Sequence, residues 1–342
     1  MCGMIINPID LGEGLKAFEF LLNPQDRIKS GAAERKDSRP ELEMLANLYY
    51  NERLVTIDRV KYPFVYIAES ELDRIILAKA DSPYVLPERF SKFAEGVIEQ
   101  RKKKNQNPTD GSCMSIKGWH KDSNGLILNV KQLGYFNFIA TNGSMDIPFK
   151  DLDPSFNYEE GKRTWRDYEI VDGRVKGPAD SLMSNMLGLG FIITAYGEDG
   201  REYFIFARRG NNLAVEGGTI GILGGTPEWI DADINVNIKK EMRDELLLNN
   251  DEFDVKGCHF AEDYTRAPDI FAHINITGNK TPLTIQTIAQ RCYGNPGVMK
   301  EHDRIYAVPV EPEAIRRIAE GRASFDINPS TIVAAHFYHG GR

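Results

Sequence analysis

From about residue 184 the chain alternates short apolar runs with turn residues and one long amphipathic stretch, and that order restricts the fold most. Gly190-Phe191-Ile192-Ile193-Thr194-Ala195-Tyr196 reads as a strand, and Gly197-Glu198-Asp199-Gly200 supplies hairpin chemistry through Asp-Gly. Tyr203-Phe204-Ile205-Phe206-Ala207 returns and ends in Arg208-Arg209-Gly210. Thr219 to Leu223 is a further strand, leading into Gly224-Gly225-Thr226-Pro227-Glu228. A helix is expected from about Asp231 to Leu248, then strands at Phe271–Ile276 and Arg304–Val308 and helices at Glu313–Ala319 and Pro329–Phe337. Strands alternating with helices predict a mixed sheet with helices packed on it, an α/β/α layering.

The first half has a different texture. Leu15 to Leu22 reads as a short helix stopped by Asn23-Pro24, since the residue before proline avoids the helical region. Residues 26–41 are polar and read as an exposed linker. Pro40 opens a helical pattern through Tyr49, and Phe64-Val65-Tyr66-Ile67 is a strand. Pro87 starts a helix with Phe90, Phe93, Ala94, Val97 and Ile98 on one face, running into Arg101-Lys102-Lys103-Lys104. That basic run reads as a solvated helix end favoured by the macrodipole, with phosphate binding as the alternative. Leu126–Val130 is a strand, and polar turns fill residues 142–182. At roughly 100–200 residues per domain, the 342 residues divide into two. The expected division is an α+β extension over 1–183 and an α/β sandwich over 184–342.

Composition removes several function classes. Lys and Arg total 42 against 50 Asp and Glu, a net charge of −8, so the chain has no general attraction for nucleic acid or an anionic membrane. No apolar run approaches the ~18–20 residues of a membrane span. The four cysteines, Cys2, Cys113, Cys258 and Cys292, form no CxxC pair, which speaks against a zinc site or disulfide framework. With no basic leader before the first apolar patch, the expectation is a cytoplasmic protein without a signal peptide.

The chemistry lies in Lys240-Glu241-Met242-Arg243-Asp244-Glu245. Glu241, Asp244 and Glu245 stand at i, i+3 and i+4, on one helical face with Cβ atoms about 5–6 Å apart. Like charges so placed repel by about 0.2–0.5 kcal/mol per pair, and a divalent cation converts the repulsion into ligation. Carboxylate and water ligands suit Mg²⁺ or Mn²⁺. The upstream Gly224-Gly225 lets the backbone turn sharply and approach a ligand, Pro227 stiffens the turn, and Glu228 can aim a further carboxylate at the helix.

These residues resemble a Nudix box, whose pattern is G-x5-E-x7-R-E-U-x-E-E-x-G-U with U a bulky aliphatic. The chain reads Gly225, five residues, Asp231, eight residues, then Lys240 to Leu248. It departs at Asp231 for Glu, in the longer spacer, at Lys240 for Arg, at Asp244 for Glu and at Leu247 for Gly. With Leu247 replacing the helix-ending glycine, Asn249 or Asn250 is expected to take the left-handed cap. Leu133-Gly134-Tyr135-Phe136-Asn137-Phe138-Ile139-Ala140-Thr141-Asn142 is similar to a segment that precedes the Nudix domain in hydrolases of UDP-glucose and UDP-galactose. The likeness runs, with gaps, from about residue 90 to 280.

The resemblance implies a Nudix-type α/β/α sandwich and metal-dependent hydrolysis of a nucleoside diphosphate linked to another moiety. For the nearest group this means a UDP-sugar giving UMP and a sugar 1-phosphate. It implies Glu241, Asp244 and Glu245 as metal ligands, and Glu228, Glu241 and Glu245 as catalytic groups. Arg208, Arg209, Gly224, Gly225 and Arg266 would bind substrate, each arginine having a surface ion pair as its plainer role. The partner implied is a small nucleotide; oligomeric state is open.

Other readings stand beside this one. Met1-Cys2-Gly3 resembles the start of class II glutamine amidotransferases, but no His-Arg-Gly segment follows. A Nudix domain with so many box changes could bind a nucleotide without cleaving it, or act on ADP-ribose or another nucleotide sugar. His336 and His339 at i, i+3 form either a metal pair or, without a third ligand, a packing pair. Trp229 either stacks on a base or sugar or caps the core.

Overall fold

The computed structural model describes residues 45–47, 53–57, 60–104, 108–172, 174–209, 220–231, 233–263, 265–277, 283–293, 295, 302–313, 318 and 328–340. The expected helix at 15–22, the linker at 26–41, Cys2 and most of the helices expected at 41–49 and 313–319 lie outside these residues.

The strands in chain order are β1 (Leu54–Ile57), β2 (Val60–Ser70), β3 (Ile75–Lys79), β4 (Ser112–Lys121), β5 (Leu126–Gly134), β6 (Ile170–Val171), β7 (Arg174–Val175), β8 (Gly188–Tyr196), β9 (Glu202–Arg209), β10 (Ile220–Gly221), β11 (Leu223–Gly225), β12 (Phe253–Glu262), β13 (Pro268–Ile276) and β14 (His302–Pro309). The helices that matter below are α1 (Ser91–Lys103), α2 (Tyr135–Ala140), α3 (Trp165–Glu169), α4 (Ile234–Leu246), α5 (Ile285–Tyr293) and α6 (Pro329–Tyr338).

A mixed nine-stranded sheet runs in the order β1-β2-β12-β13-β8-β9-β10, with β11 pairing β8 and β14 pairing β9. β13 and β8 are parallel, and the other pairs in this sheet are antiparallel. Both faces are covered, as layering predicts for strands apolar on both sides. On one face Ile234, Ile238, Met242 and Leu246 of α4 recur every four residues and join Ile285, Ile288 and Cys292 of α5 in one core. β3, β4 and β5 form a separate three-stranded sheet whose Met114, Ile116, Leu128 and Val130 enter that same core. On the other face α6 packs Ile332, Val333 and Phe337 against Phe204, Phe206 and Phe271. The α/β/α layering expected from the sequence is therefore present.

β1 and β2 precede residue 184 yet extend the nine-stranded sheet, because β2 pairs antiparallel with β12. A third core is aromatic and belongs to residues 84–186. Phe90, Phe93, Phe149 and Trp165 have no exposed surface, and the Trp165 indole donates to Ala140 O at 2.8 Å. The stretch read as polar turns thus contains α3, begun by a capping box between Thr164 and Asp167.

Several local expectations need correction. The strand expected over 219–223 is two short strands: Ile220 pairs with Arg208, then Leu223 turns to pair with Phe191. The long helix starts at Ile234, with the Asp233 side chain accepting from Asn235 and Val236 N–H groups. It ends with Leu247 itself left-handed at φ 54°, ψ 35°, so neither Asn249 nor Asn250 supplies that cap. Arg101 is half-buried rather than solvated, and donates to Gly143 O at 3.0 Å. The thiols of Cys113, Cys258 and Cys292 are free and buried, and burial pushes each up to about 12.

Candidate functional site

The acidic helix meets the glycine turn because three elements converge at one end of the sheet. α4 lies over the face that carries Leu189 and Leu223. β11 places Gly224 opposite Gly190 and Gly225 opposite Leu189. Gly224 has no room for a side chain against the β8 backbone, and one on Gly225 would displace the Glu241 carboxylate. A Cβ on Gly224 would lie 3.1 Å from Gly190 Cα, and one on Gly225 would lie 2.5 Å from Glu241 Oε1 and 2.7 Å from Oε2. Both glycines therefore serve close approach, and what approaches Gly225 is the helix's own carboxylate.

Glu245 sits one helical turn further along. It is buried, at 7 % exposed, and both of its oxygens are engaged. Gly224 N–H donates to Oε2 at 3.2 Å, and His302 Nε2 lies 3.1 Å from Oε1. Glu241 and Glu245 thus stand over two consecutive residues of β11. Asp244, by contrast, is exposed on the rim of the helix. Among the described residues no three His, Cys, Asp or Glu side chains converge closely enough to hold a metal ion. Of the three carboxylates expected from the sequence, Glu241 and Glu245 face the turn and Asp244 lies on the exposed rim. Carboxylate oxygens are the donors a hard cation takes.

The turn after Gly225 is tied down by polar contacts. Lys240 pairs with Glu228, and this hydrogen bond holds the ammonium above its usual range. So Lys240 finds a carboxylate one element upstream. Asn237, buried at 2 % exposed, accepts from Glu228 N–H at 2.9 Å and donates to Asp231 O and Asp233 O. It staples the turn to α4 and accommodates the longer spacer; its sequence context gave no signal. Trp229 N–H donates to Ser112 O at 3.1 Å, while Lys79 Nζ donates to Trp229 O at 2.6 Å and lies 4.5 Å over its ring. Trp229 thus caps the core against β3 and β4. Asp110 and Glu228 both act on the buried Cys113 thiol, so the turn borders the three-stranded sheet.

The arginines separate. Arg208 lies opposite Ile220 and alternates with Phe204 and Phe206, which puts it on the α6 face, away from α4. Arg209 ends β9 opposite His302, and its side chain lies outside the described residues. Arg266 is 4 % exposed with φ 67°. Its guanidinium pairs with Glu262, donates to Lys176 O and lies 4.0 Å from Glu169 Oε2. Two buried carboxylates, Glu262 and Glu169, face the guanidinium in an internal ion-pair group.

The Gly134–Asn142 segment forms α2 and then a buried polar network. Asp110 accepts from Phe136 N–H at 2.9 Å. Asn142 Oδ1 accepts from Ser184 Oγ at 2.7 Å and Asn185 N–H at 3.0 Å, and Asn142 Nδ2 donates to Thr265 O at 2.7 Å. It therefore anchors the chain entering β8 and the loop before β13. His336 and His339 form no metal group: His339 is exposed, and the α6 face instead brings His259 and His273 within 5.1 Å of each other.

Among the described residues, no helix is long and apolar enough to cross a membrane. No family model and no curated protein matches the chain. Solved structures do. It is similar to a Nudix hydrolase of M. smegmatis, RenU, at 12% identity over 45% of this chain and 83% of that one, with a TM-score of 0.30. It is similar to a C. elegans Ap4A hydrolase in a binary complex at 8% identity, over 45% and 96%, with a TM-score of 0.30. The Nudix domain of Shewanella oneidensis NrtR complexed with ADP ribose matches at 11% identity, over 45% and 87%, with a TM-score of 0.29. Likeness at this level assigns no activity to this chain.

Proposed function

We propose that the chain is a metal-dependent pyrophosphatase of the Nudix kind, hydrolysing a nucleoside diphosphate linked to another moiety. A UDP-sugar giving UMP and sugar 1-phosphate is the specific substrate class we favour. The observation that supports this most is the Glu241–Glu245 pair standing over Gly224-Gly225, where two like charges one turn apart are held against a close-approach strand.

A bound Mg²⁺ or Mn²⁺ supplies Lewis acidity toward phosphoryl oxygens and a more acidic water. Glu241 and Glu245 would hold it, with Asp244 joining from the exposed rim. Gly224 N–H fixes one oxygen of Glu245. Glu228, anchored by Lys240 and by its own N–H to Asn237, is proposed to orient the attacking water. Arg209 remains the proposed partner of the diphosphate. Residues 1–183 are proposed as the extension and 184–342 as the hydrolase portion, in a protein of the cytoplasm.

A second reading is a nucleotide-binding module without turnover. The exposed Asp244, which leaves two converging carboxylates rather than three, is what favours it. UDP-glucose, UDP-galactose, ADP-ribose and NADH incubated with Mg²⁺, each with an EDTA control, separate the readings. UMP plus sugar 1-phosphate, abolished by EDTA, is the expected result. AMP products would keep the hydrolase and change the base. Tight nucleotide binding without turnover would leave the binding module.

A further inference from the structure

We propose that Lys117 is a nucleophilic amine, a covalent modification site that takes aldehydes as an imine. β4 carries a bulge at this point: Ile116 pairs with Val130 and Gly118 with Asn129, which leaves Lys117 as the extra residue. A bulge re-aims the side chain it carries. Ile116 enters the core, while Lys117 turns to the segments that flank the small sheet. Its Nζ donates to Met183 O at 3.2 Å and lies 5.1 Å from the centre of the Tyr84 ring. Tyr84 is itself fixed, its hydroxyl donating to Leu182 O at 2.8 Å. The turn that follows Gly225 meets β4 elsewhere, where Trp229 N–H donates to Ser112 O, so this amine lies apart from the Glu241 site.

Two conditions make a lysine amine nucleophilic: removal from water and a second cation beside it. Lys117 meets both. It is half-buried, and among the described residues its amine has a carbonyl and a ring face beside it but no carboxylate ion pair. Lys131 on the neighbouring β5 is the second cation. Burial first, and then Lys131, push the amine down to about 8, and Glu169 of α3 opposes this in part. The neutral form is therefore well populated close to neutral pH. Its lone pair attacks the aldehyde carbon, and the carbonyl pair moves to oxygen. Nitrogen then gives up both protons and the oxygen leaves as water, so the C=N bond forms with nothing oxidised or reduced.

The test treats the full chain with acetaldehyde, traps the imine with cyanoborohydride and quantifies each ethylated lysine by peptide mass spectrometry as pH is varied. Lys92, exposed on α1, is the reference, and the ratio of the two rates removes the reagent's own pH dependence. Near pH 7.5 Lys117 is expected to label roughly tenfold faster than Lys92, and the ratio should shrink above about pH 8. Lys131→Gln should slow Lys117 severalfold, and Lys131→Arg, which keeps the charge, should not. Thermal melts show that each variant folds; should Lys131→Gln not fold, Lys131→Met removes the same charge and keeps the stem. Equal rates at Lys117 and Lys92, a ratio that does not change with pH, or an unaltered Lys117 rate in Lys131→Gln overturns the proposal and leaves Lys117 as a packing strut.

Discussion

At one end of the nine-stranded sheet, two groups of charged side chains are handled in opposite ways. Glu262 at the end of β12 pairs with Pro268, Asp269 pairs with Gly188, and Leu189 pairs with Gly225, so the Arg266 loop and the Glu241 turn share that end. Around Arg266 the charges are enclosed: Glu169 has no exposed surface, Glu262 has 3 %, and the guanidinium lies between them. Along α4 Glu241 is half-buried beside Gly225 and Asp244 is open to water. A closed group of matched charges can serve only the fold. An acidic group with an exposed member beside a glycine turn can serve a ligand. The contrast explains why arginine, read from sequence as a diphosphate partner, is structural at position 266.

Arg266→Ala should show the largest effect. It strands two buried carboxylates, and breaking a buried ion pair costs about 3–5 kcal/mol. Urea unfolding measures this, and a loss under about 1 kcal/mol would mean the pairing is looser than the structure shows. Glu241→Gln is expected to do the reverse, leaving the unfolding midpoint in place while lowering metal-dependent hydrolysis roughly a hundredfold, equivalent to about 3 kcal/mol in the barrier. Equal losses of stability in both variants would erase the comparison.

The α6 face sharpens it with a third case, in which charge offsets burial only in part, through Glu69. His273 is pushed down to about 4, first by burial and then by His259 beside it. An unfolded histidine near 6.5 takes up a proton that the folded one refuses, so stability is present above about 6.5 and lost as pH falls toward 4. The expected decline between pH 7 and 5 is about 2 kcal/mol, and His273→Phe should flatten it. An unchanged slope in that variant would place the acid sensitivity elsewhere.

Lys240→Gln should have the smallest effect on folding, below about 1 kcal/mol, since its pair with Glu228 is partly exposed. Its effect on turnover should exceed its effect on stability if Glu228 orients water. A pure stability loss would make the pair a strut.

Much of this was legible in the chain. Strand and turn chemistry from Gly190 to Ala207 placed the β8–β9 hairpin, because Asp-Gly and continuous apolar runs are local signals. The spacing of Glu241 and Glu245 fixed them on one helical face by period alone. β4 and β12 escaped notice, since each carries a bulge and interior polar residues that blur alternation. The left-handed cap at Leu247 was also hidden, because packing overrode a local preference worth about 1–2 kcal/mol.

What the sequence settled alone was which acids share a helix face and which glycines precede them. Only the tertiary structure decided which charges remain available. His302 reaches Glu245, Asn237 holds the turn and Arg266 is enclosed by Glu262 and Glu169 through contacts set by strand pairing and burial. Periodicity is a property of neighbours along the chain. Whether a charge is matched depends on what the fold brings beside it, and on how much water it excludes.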